Sequence, residues 1–226
     1  VNLSFLIGLS LFLGSALQQV ALLYTDVANA AFFTIFYVPL VPIIIFLFKR
    51  TSIHWSVWPS VVLCLIGGYL LTNFYDATVR LGDSLVILGA LFWSTHIIFT
   101  GIIVNKYNLP LTLGAAQTFI VALFSFVIAF IYEEFVYLEI MKEINSILYA
   151  GILSGGFAFV LQIYAQKNIT PAPAAIIFSL EGVFATIAAW FILNQILDIN
   201  NLLGCLFILC GVLLSQLLPL VQKKYS

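Results

Sequence analysis

One carboxylate stands alone in apolar surroundings. Glu181 lies in the run AAIIFSLEGVFATIAAW, with no other Asp, Glu, Lys or Arg between Lys167 and Asp198. Insertion scales put a charge at the centre of a membrane helix at about 2.5–3.5 kcal/mol, so this side chain must be protonated, paired or turned toward water. Two chemistries follow: contact with a substrate amine or proton coupling, against the plainer reading of a protonated Glu bonding a neighbouring helix. His96 is the second such group, on a stripe with Gly89, Trp93 and Thr100 at helical spacing. Histidine titrates near physiological pH, which opens proton coupling to it, although a neutral His can equally bridge two helices.

Amides and hydroxyls supply the rest. Gly151, Gly155, Ala158, Gln162 and Gln166 share one helical face, and Gly8, Leu11, Ser15 and Gln18 form a similar one. Small residues on these faces permit close helix approach. Gln117 shares a face with Gly114, Val121 and Ser125, and Asn29, Thr34, Tyr37 and Ser179 add neutral hydrogen-bonding groups. With Trp93, Tyr37, Phe178 and Trp190 as stacking surfaces, the set suits a polar neutral or zwitterionic metabolite. A di-anion is excluded, because no Lys or Arg sits in any apolar run. Cys64, Cys205 and Cys210 lie in apolar runs with no C-x-x-C pair or adjacent His, so we read them as filler and expect neither metal nor cofactor.

The elements that must position these residues are membrane helices. Of 226 residues 63% are hydrophobic and 8% charged, with a mean hydropathy of +1.17. That balance excludes both a soluble globule and a disordered chain. With a net charge of -1 and no basic run longer than two residues, nucleic acid is excluded as a partner. A bilayer core needs about 20 apolar residues per helix. Cutting at charges, Pro and Asn leaves eight segments: 3–23, 27–48, 55–74, 82–104, 111–132, 145–166, 172–194 and 199–219. They are too long and unbroken for barrel strands, so the fold is an all-α polytopic bundle. The first segment lacks a basic n-region and a cleavage site, so it is not a signal peptide; the chain begins at Val1, and segments upstream are expected.

Eight spans sort the loops onto two sides. Lys49, Arg50, Lys106, Lys167, Lys223 and Lys224 fall on one, and Arg80 and Lys142 on the other. The positive-inside rule makes the first side cytoplasmic, with both termini there, in a plasma (inner) membrane. Asp26, Asp76, Asp83, Glu133, Glu134, Glu139, Glu143 and Asp198 all fall on the outer side. Asp26 or Thr25 is expected to cap the second helix, Thr170 with Pro171 the seventh, and Pro39 and Pro42 to bend the second. Trp55, Trp58, Tyr107 and Tyr149 near span ends form an interfacial belt.

The chain also matches itself at an offset of 144–145 positions. Gln18 meets Gln162, Ala21 meets Ala165, Thr25 meets Thr170, Phe33 meets Phe178, Thr34 meets Ser179 and Val38 meets Val183; LIGGYLL around Gly67 meets LCGVLLS around Gly211. Displacement by five spans makes the second copy run opposite to the first, the arrangement of secondary transporters with inverted repeats. We therefore expect an incomplete first repeat of three helices at 1–80, a second of five at 81–226, and ten helices in the complete architecture.

ALLYTDVANAAFFTIFYVPLVPI at 21–43, LGDSLVILGALFWSTHIIFTG at 81–101 and ITPAPAAIIFSLEGVFATIAAWFILNQ at 169–195 resemble the EamA-like branch of the drug/metabolite transporter superfamily. The resemblance implies a carrier of ten helices in two inverted repeats, moving amino acids or other small metabolites, with the first helix here matching the family's third. Gly182 stands where that family often has Pro, and Asn194-Gln195 where it often has an acidic residue.

Enzyme readings fail on spacing. GILSG at 151–155 is not a rhomboid-type serine setting, both His54 and His96 precede it, no Asp lies in the middle of a span, and two separated His residues make no metal hydrolase. A channel would want a ring of charges or a carbonyl-rich filter. The reading is a carrier working by alternating access, with Glu181, His96, Trp93, Gln117, Gln18, Gln162, Tyr37 and Ser179 along its path. Its partners are a small-molecule substrate and the lipid bilayer. Protons as a coupling ion and a homo-oligomeric state stay open, as does the alternative of a structural subunit or channel.

Overall fold

The computed structural model describes residues 2–49, 52–72 and 80–225. Asp76 and Arg50 lie outside the described residues, as do the side chains of Lys49, Lys223 and Lys224. In chain order the helices are α1 (Asn2–Ala21), α2 (Val27–Thr34), α3 (Tyr37–Ile44), α4 (Val57–Leu71), α5 (Leu81–Tyr107), α6 (Pro110–Tyr132), α7 (Tyr137–Lys142), α8 (Ile144–Leu148), α9 (Phe159–Gln166), α10 (Pro171–Phe178), α11 (Leu180–Leu193) and α12 (Ile199–Tyr225). Five-residue-turn winding continues α3 over Ile45–Lys49 and joins α8 to α9 over Tyr149–Ala158. Among the described residues seven helices are long and apolar enough to cross a membrane, and the eighth expected crossing is the shorter apolar α4. The fold is a polytopic helical bundle.

Two crossings are broken near their middles, at positions that the self-match equates. Between α2 and α3, Ile35 and Phe36 turn back on Phe32 and Phe33 with N–H to O distances of 3.2 Å. Pro39 has no N–H and its ring crowds the carbonyl four residues earlier, that of Ile35, so the break falls one turn before it. Between α10 and α11 the break falls at Ser179. In both, a hydroxyl bonds back to the preceding turn: Thr34 Oγ1 donates to Ala30 O at 2.7 Å and Ser179 Oγ to Ile176 O at 2.6 Å. Such back-bonding bends helices.

The expected caps are only partly realised. Asp26 occupies the N-cap of α2 and Thr170 that of α10, yet neither side chain bonds its own helix. Asp26 instead pairs with Arg80 at 2.8 Å. Thr25 donates to the buried Asp83, which also takes Asn29 Nδ2 at 3.3 Å and the Arg80 N–H at 2.7 Å. A carboxylate with several donors outcompetes a local cap because charge-assisted bonds are the stronger ones.

Helices α4 and α12, the tails of the two matched stretches, pack antiparallel. A Cβ on Gly67 would lie 2.7 Å from Gly204 O, and one on Gly211 would lie 2.9 Å from Ser60 O. At the offset of 144, Gly67 corresponds to Gly211 and Ser60 to Gly204, so the two contacts are images of one another. Gly67→Ala should therefore destabilise the bundle by about 1–3 kcal/mol, the usual penalty for overpacking. Gly151→Ala, where nothing lies within 4 Å, is the control; thermal unfolding in detergent should separate the two.

Buried clusters lie at both ends: Ala21, Ala30, Phe33 and Val86 pack near the far end, and others pack at the end that carries both termini. There His54 Nε2 meets Gln222 Oε1 at 2.5 Å, and Ile7, Ile103, Val104, Leu113 and Ile163 form one buried cluster. A larger cluster joins Val38, Val41, Val57, Val61, Ala172, Ala175 and Ile176. Toward the far end α6 and α11 expose Phe126, Phe130, Phe191 and Ile192, surface suited to lipid.

Candidate functional site

The two breaks face each other across the bundle, and each aims a polar side chain at the junction. Tyr37, at the start of α3, is 4% exposed; its hydroxyl donates to Glu181 Oε1 at 3.2 Å, in the first turn of α11. A helix interrupted at the midplane can turn a charged group toward a cavity rather than lipid. Here it does so: a cavity of about 580 Å³ is lined by Gln18, Ala31, Thr34, Ile35, Tyr37, Leu71, Thr72, Trp93, Ile97, Phe159, Gln162, Phe178, Glu181, Gly182, Ala185 and Thr186.

Leu71, Thr72, Gln18 and Thr186 belong to the far halves of their crossings, whereas the Val38–Val41 and Ala172–Ile176 layer is buried. With Ile97, Phe159 and Gln162 in the nearer halves of theirs, the cavity spans the middle of the bundle and extends toward the far end, beside that packed layer. One wall is aromatic: the Trp93 and Phe159 rings lie 8° from parallel with centroids 6.1 Å apart. Elsewhere Gln18 Nε2 donates to Thr34 Oγ1 at 3.3 Å, across the contact of α1 with α2.

Of the residues expected along the path, Glu181, Trp93, Gln18, Gln162 and Tyr37 line this cavity, and three do not. His96 and Gln117 are fully buried between α5 and α6, where His96 Nε2 and Gln117 Oε1 meet at 3.1 Å. The His96 ring stands edge-on to Phe159 and Trp93, with centroids 6.0 and 6.2 Å away, so it backs the aromatic wall. Ser179 is 1% exposed; with its hydrogen given to Ile176 O, its Oγ also lies 3.3 Å from Cys64 Sγ, whose thiol can donate to it, and so it holds the break. Phe159, Thr72, Ala185 and Thr186 line the cavity without having been expected there. Helical periodicity from Phe178 through Gly182 and Ala185–Thr186 could have found two of them. Phe159 gives no signal, because one aromatic in an apolar run looks like any other. Among the described residues no group of three His, Cys, Asp or Glu is placed to hold a metal ion.

Known proteins resemble this chain along most of its length. The EamA-like transporter family matches residues 80–217. An uncharacterized transporter of Archaeoglobus fulgidus is 32% identical over 218 residues, covering 94% of this chain and 68% of the relative. The uncharacterized transporter YoaV of Bacillus subtilis is 26% identical over 141 residues, covering 62% of this chain and 48% of the relative. A solved crystal structure shares the fold, with a TM-score of 0.80 at 16% identity over 95% of this chain and 76% of the other. The chain is a multi-pass membrane protein, and it belongs to the EamA-like transporter family.

Proposed function

We propose that this chain is the working part of a secondary carrier that moves a small amine-bearing metabolite, of amino-acid size and polar or zwitterionic, by alternating access. The observation that carries the reading is the junction of the two broken crossings, where Tyr37 and Glu181 meet in a cavity beside the packed layer of Val38, Val41, Ala172, Ala175 and Ile176. Discontinuous helices around a midplane site are the recurring architecture of carriers with inverted repeats. The reciprocal contacts of Gly67 with Gly204 and of Gly211 with Ser60 support a two-fold relation between a partial first repeat, 1–80, and a second, 81–226.

The charge distribution supports an orientation with both termini in the cytoplasm. At the far end Arg80 pairs with Asp26 and Lys142 with Glu139, both at close range. At the terminal end Lys106 and Lys167 lie over Tyr107 and Tyr164, with Nζ to ring-centroid distances of 5.3 and 5.9 Å, in keeping with an interfacial belt on the positive side. His96 and Gln117, behind the aromatic wall, set the position of Trp93 and Phe159, and proton coupling through His96 would have to pass that wall.

The test is counterflow. In proteoliposomes loaded with excess unlabelled amine, uptake of labelled amine should saturate and overshoot; linear flux without overshoot indicates a channel, and no flux a structural role.

A further inference from the structure

The hydrogen-bonding inventory of the cavity wall says more about the solute than its charge alone does. Four hydroxyls line it, and each has already given its single hydrogen to the protein. Thr34 donates to Ala30 O at 2.7 Å, Tyr37 to Glu181 at 3.2 Å, Thr72 to Gly68 O at 2.9 Å and Thr186 to Gly182 O at 2.8 Å. A hydroxyl that has donated offers only lone pairs. Glu181 adds carboxylate oxygens, and no Lys, Arg or His is among the lining residues. The donors that remain are the amides of Gln18 and Gln162, with one Gln18 N–H engaged by Thr34, and the buried Trp93 indole N–H, which bonds no described residue.

The wall is therefore rich in acceptors and poor in donors. An ammonium brings donors and no acceptor, and so matches it. A carboxylate brings about four acceptor sites and a negative charge, and would be desolvated beside Glu181 with no cationic side chain to pair it. The stacked rings of Trp93 and Phe159 add an apolar aromatic wall to the cavity, and aromatic rings attract cations.

We propose that, among amine-bearing solutes, this cavity selects monocations that have a flat apolar body and no free carboxylate. The proposal rests on the carrier reading and narrows its substrate class. It separates compounds that size and hydrophobicity leave alike.

The experiment compares phenethylamine, phenylalanine methyl ester and phenylalanine, which share the amine and the ring and differ in the carboxylate. Binding to the purified chain in nanodiscs is measured by calorimetry. The amine and the ester should bind at least about tenfold more tightly than the amino acid, a difference of about 1.4 kcal/mol. Glu181→Gln should reduce that ratio toward one. Equal or tighter binding of phenylalanine, or no binding of the amine, overturns the proposal. Counterflow is scored separately: selective binding of the amine without counterflow removes the carrier reading and leaves the selectivity standing. Counterflow combined with a preference for phenylalanine does the reverse.

Discussion

Glu181→Gln is expected to lower amine flux at subsaturating substrate by roughly 10- to 100-fold, the loss of a hydrogen bond to a charged group at about 1.5–3 kcal/mol. Glutamine has nearly the same volume, and its carbonyl can still accept the Tyr37 hydroxyl that reaches Glu181 Oε1 at 3.2 Å. The thermal midpoint in detergent should therefore stay near wild type while flux falls. Tyr37→Phe is the comparator. It removes the donor that orients the carboxylate and leaves the charge in place, so a smaller loss is expected. Unchanged transport in Glu181→Gln would remove this residue from the mechanism.

A disulfide between Ala31→Cys and Thr186→Cys, in a background lacking the native cysteines, is expected to form during turnover and to stop transport until it is reduced. The argument is one of symmetry. The packed layer beside the cavity joins Val38 and Val41 of α3 to Ala172, Ala175 and Ile176 of α10. At the offset of 145 those positions correspond to Val183 and Thr186 on α11 and to Val27, Ala30 and Ala31 on α2. Ala31 and Thr186 both line the cavity in this structure. If the two repeats exchange conformations, the counterpart of that layer closes there and brings these residues together. A pair of cysteines that never cross-links, with and without substrate, would sink the exchange of repeats.

Hydropathy alone locates the crossings, because a bilayer allows few other uses for runs such as AAFFTIFYVPLVPIIIF. Glu181 is legible for the same reason: an unpartnered carboxyl in such a run has few tolerable places to point. Other features were hidden by their nature. The expected bend at Pro39 appears as a break at Ile35–Phe36, set jointly by the missing N–H and by Thr34 bonding back to Ala30. Its counterpart at Ser179 follows the prolines at 171 and 173 by a full turn or more and rests on a serine hydroxyl. Helical spacing gathered Trp93, His96 and Thr100 on one stripe. It could not say that Trp93 would meet the cavity while His96 turned to α6, since neighbouring residues of one stripe diverge by tens of degrees. Phe159 became a wall residue only through its ring contact with Trp93.

The knot of polar contacts around Asp83 bears on which parts travel when the site changes access. Thr25, Asn29 and the Arg80 N–H all converge on that one carboxylate, and Arg80 reaches on to Asp26. Hydrogen bonds in such a network strengthen one another, so the start of α2 is held firmly to the start of α5. Helix α11 is tied to α3 by the Tyr37–Glu181 bond, and Val183 is its one buried residue among those described. In the proposed carrier the swinging arm would be α11, hinged at Ser179, against a stator of α1, α2 and α5, and the barrier to switching would sit in that hinge and in the lipid that α11 displaces.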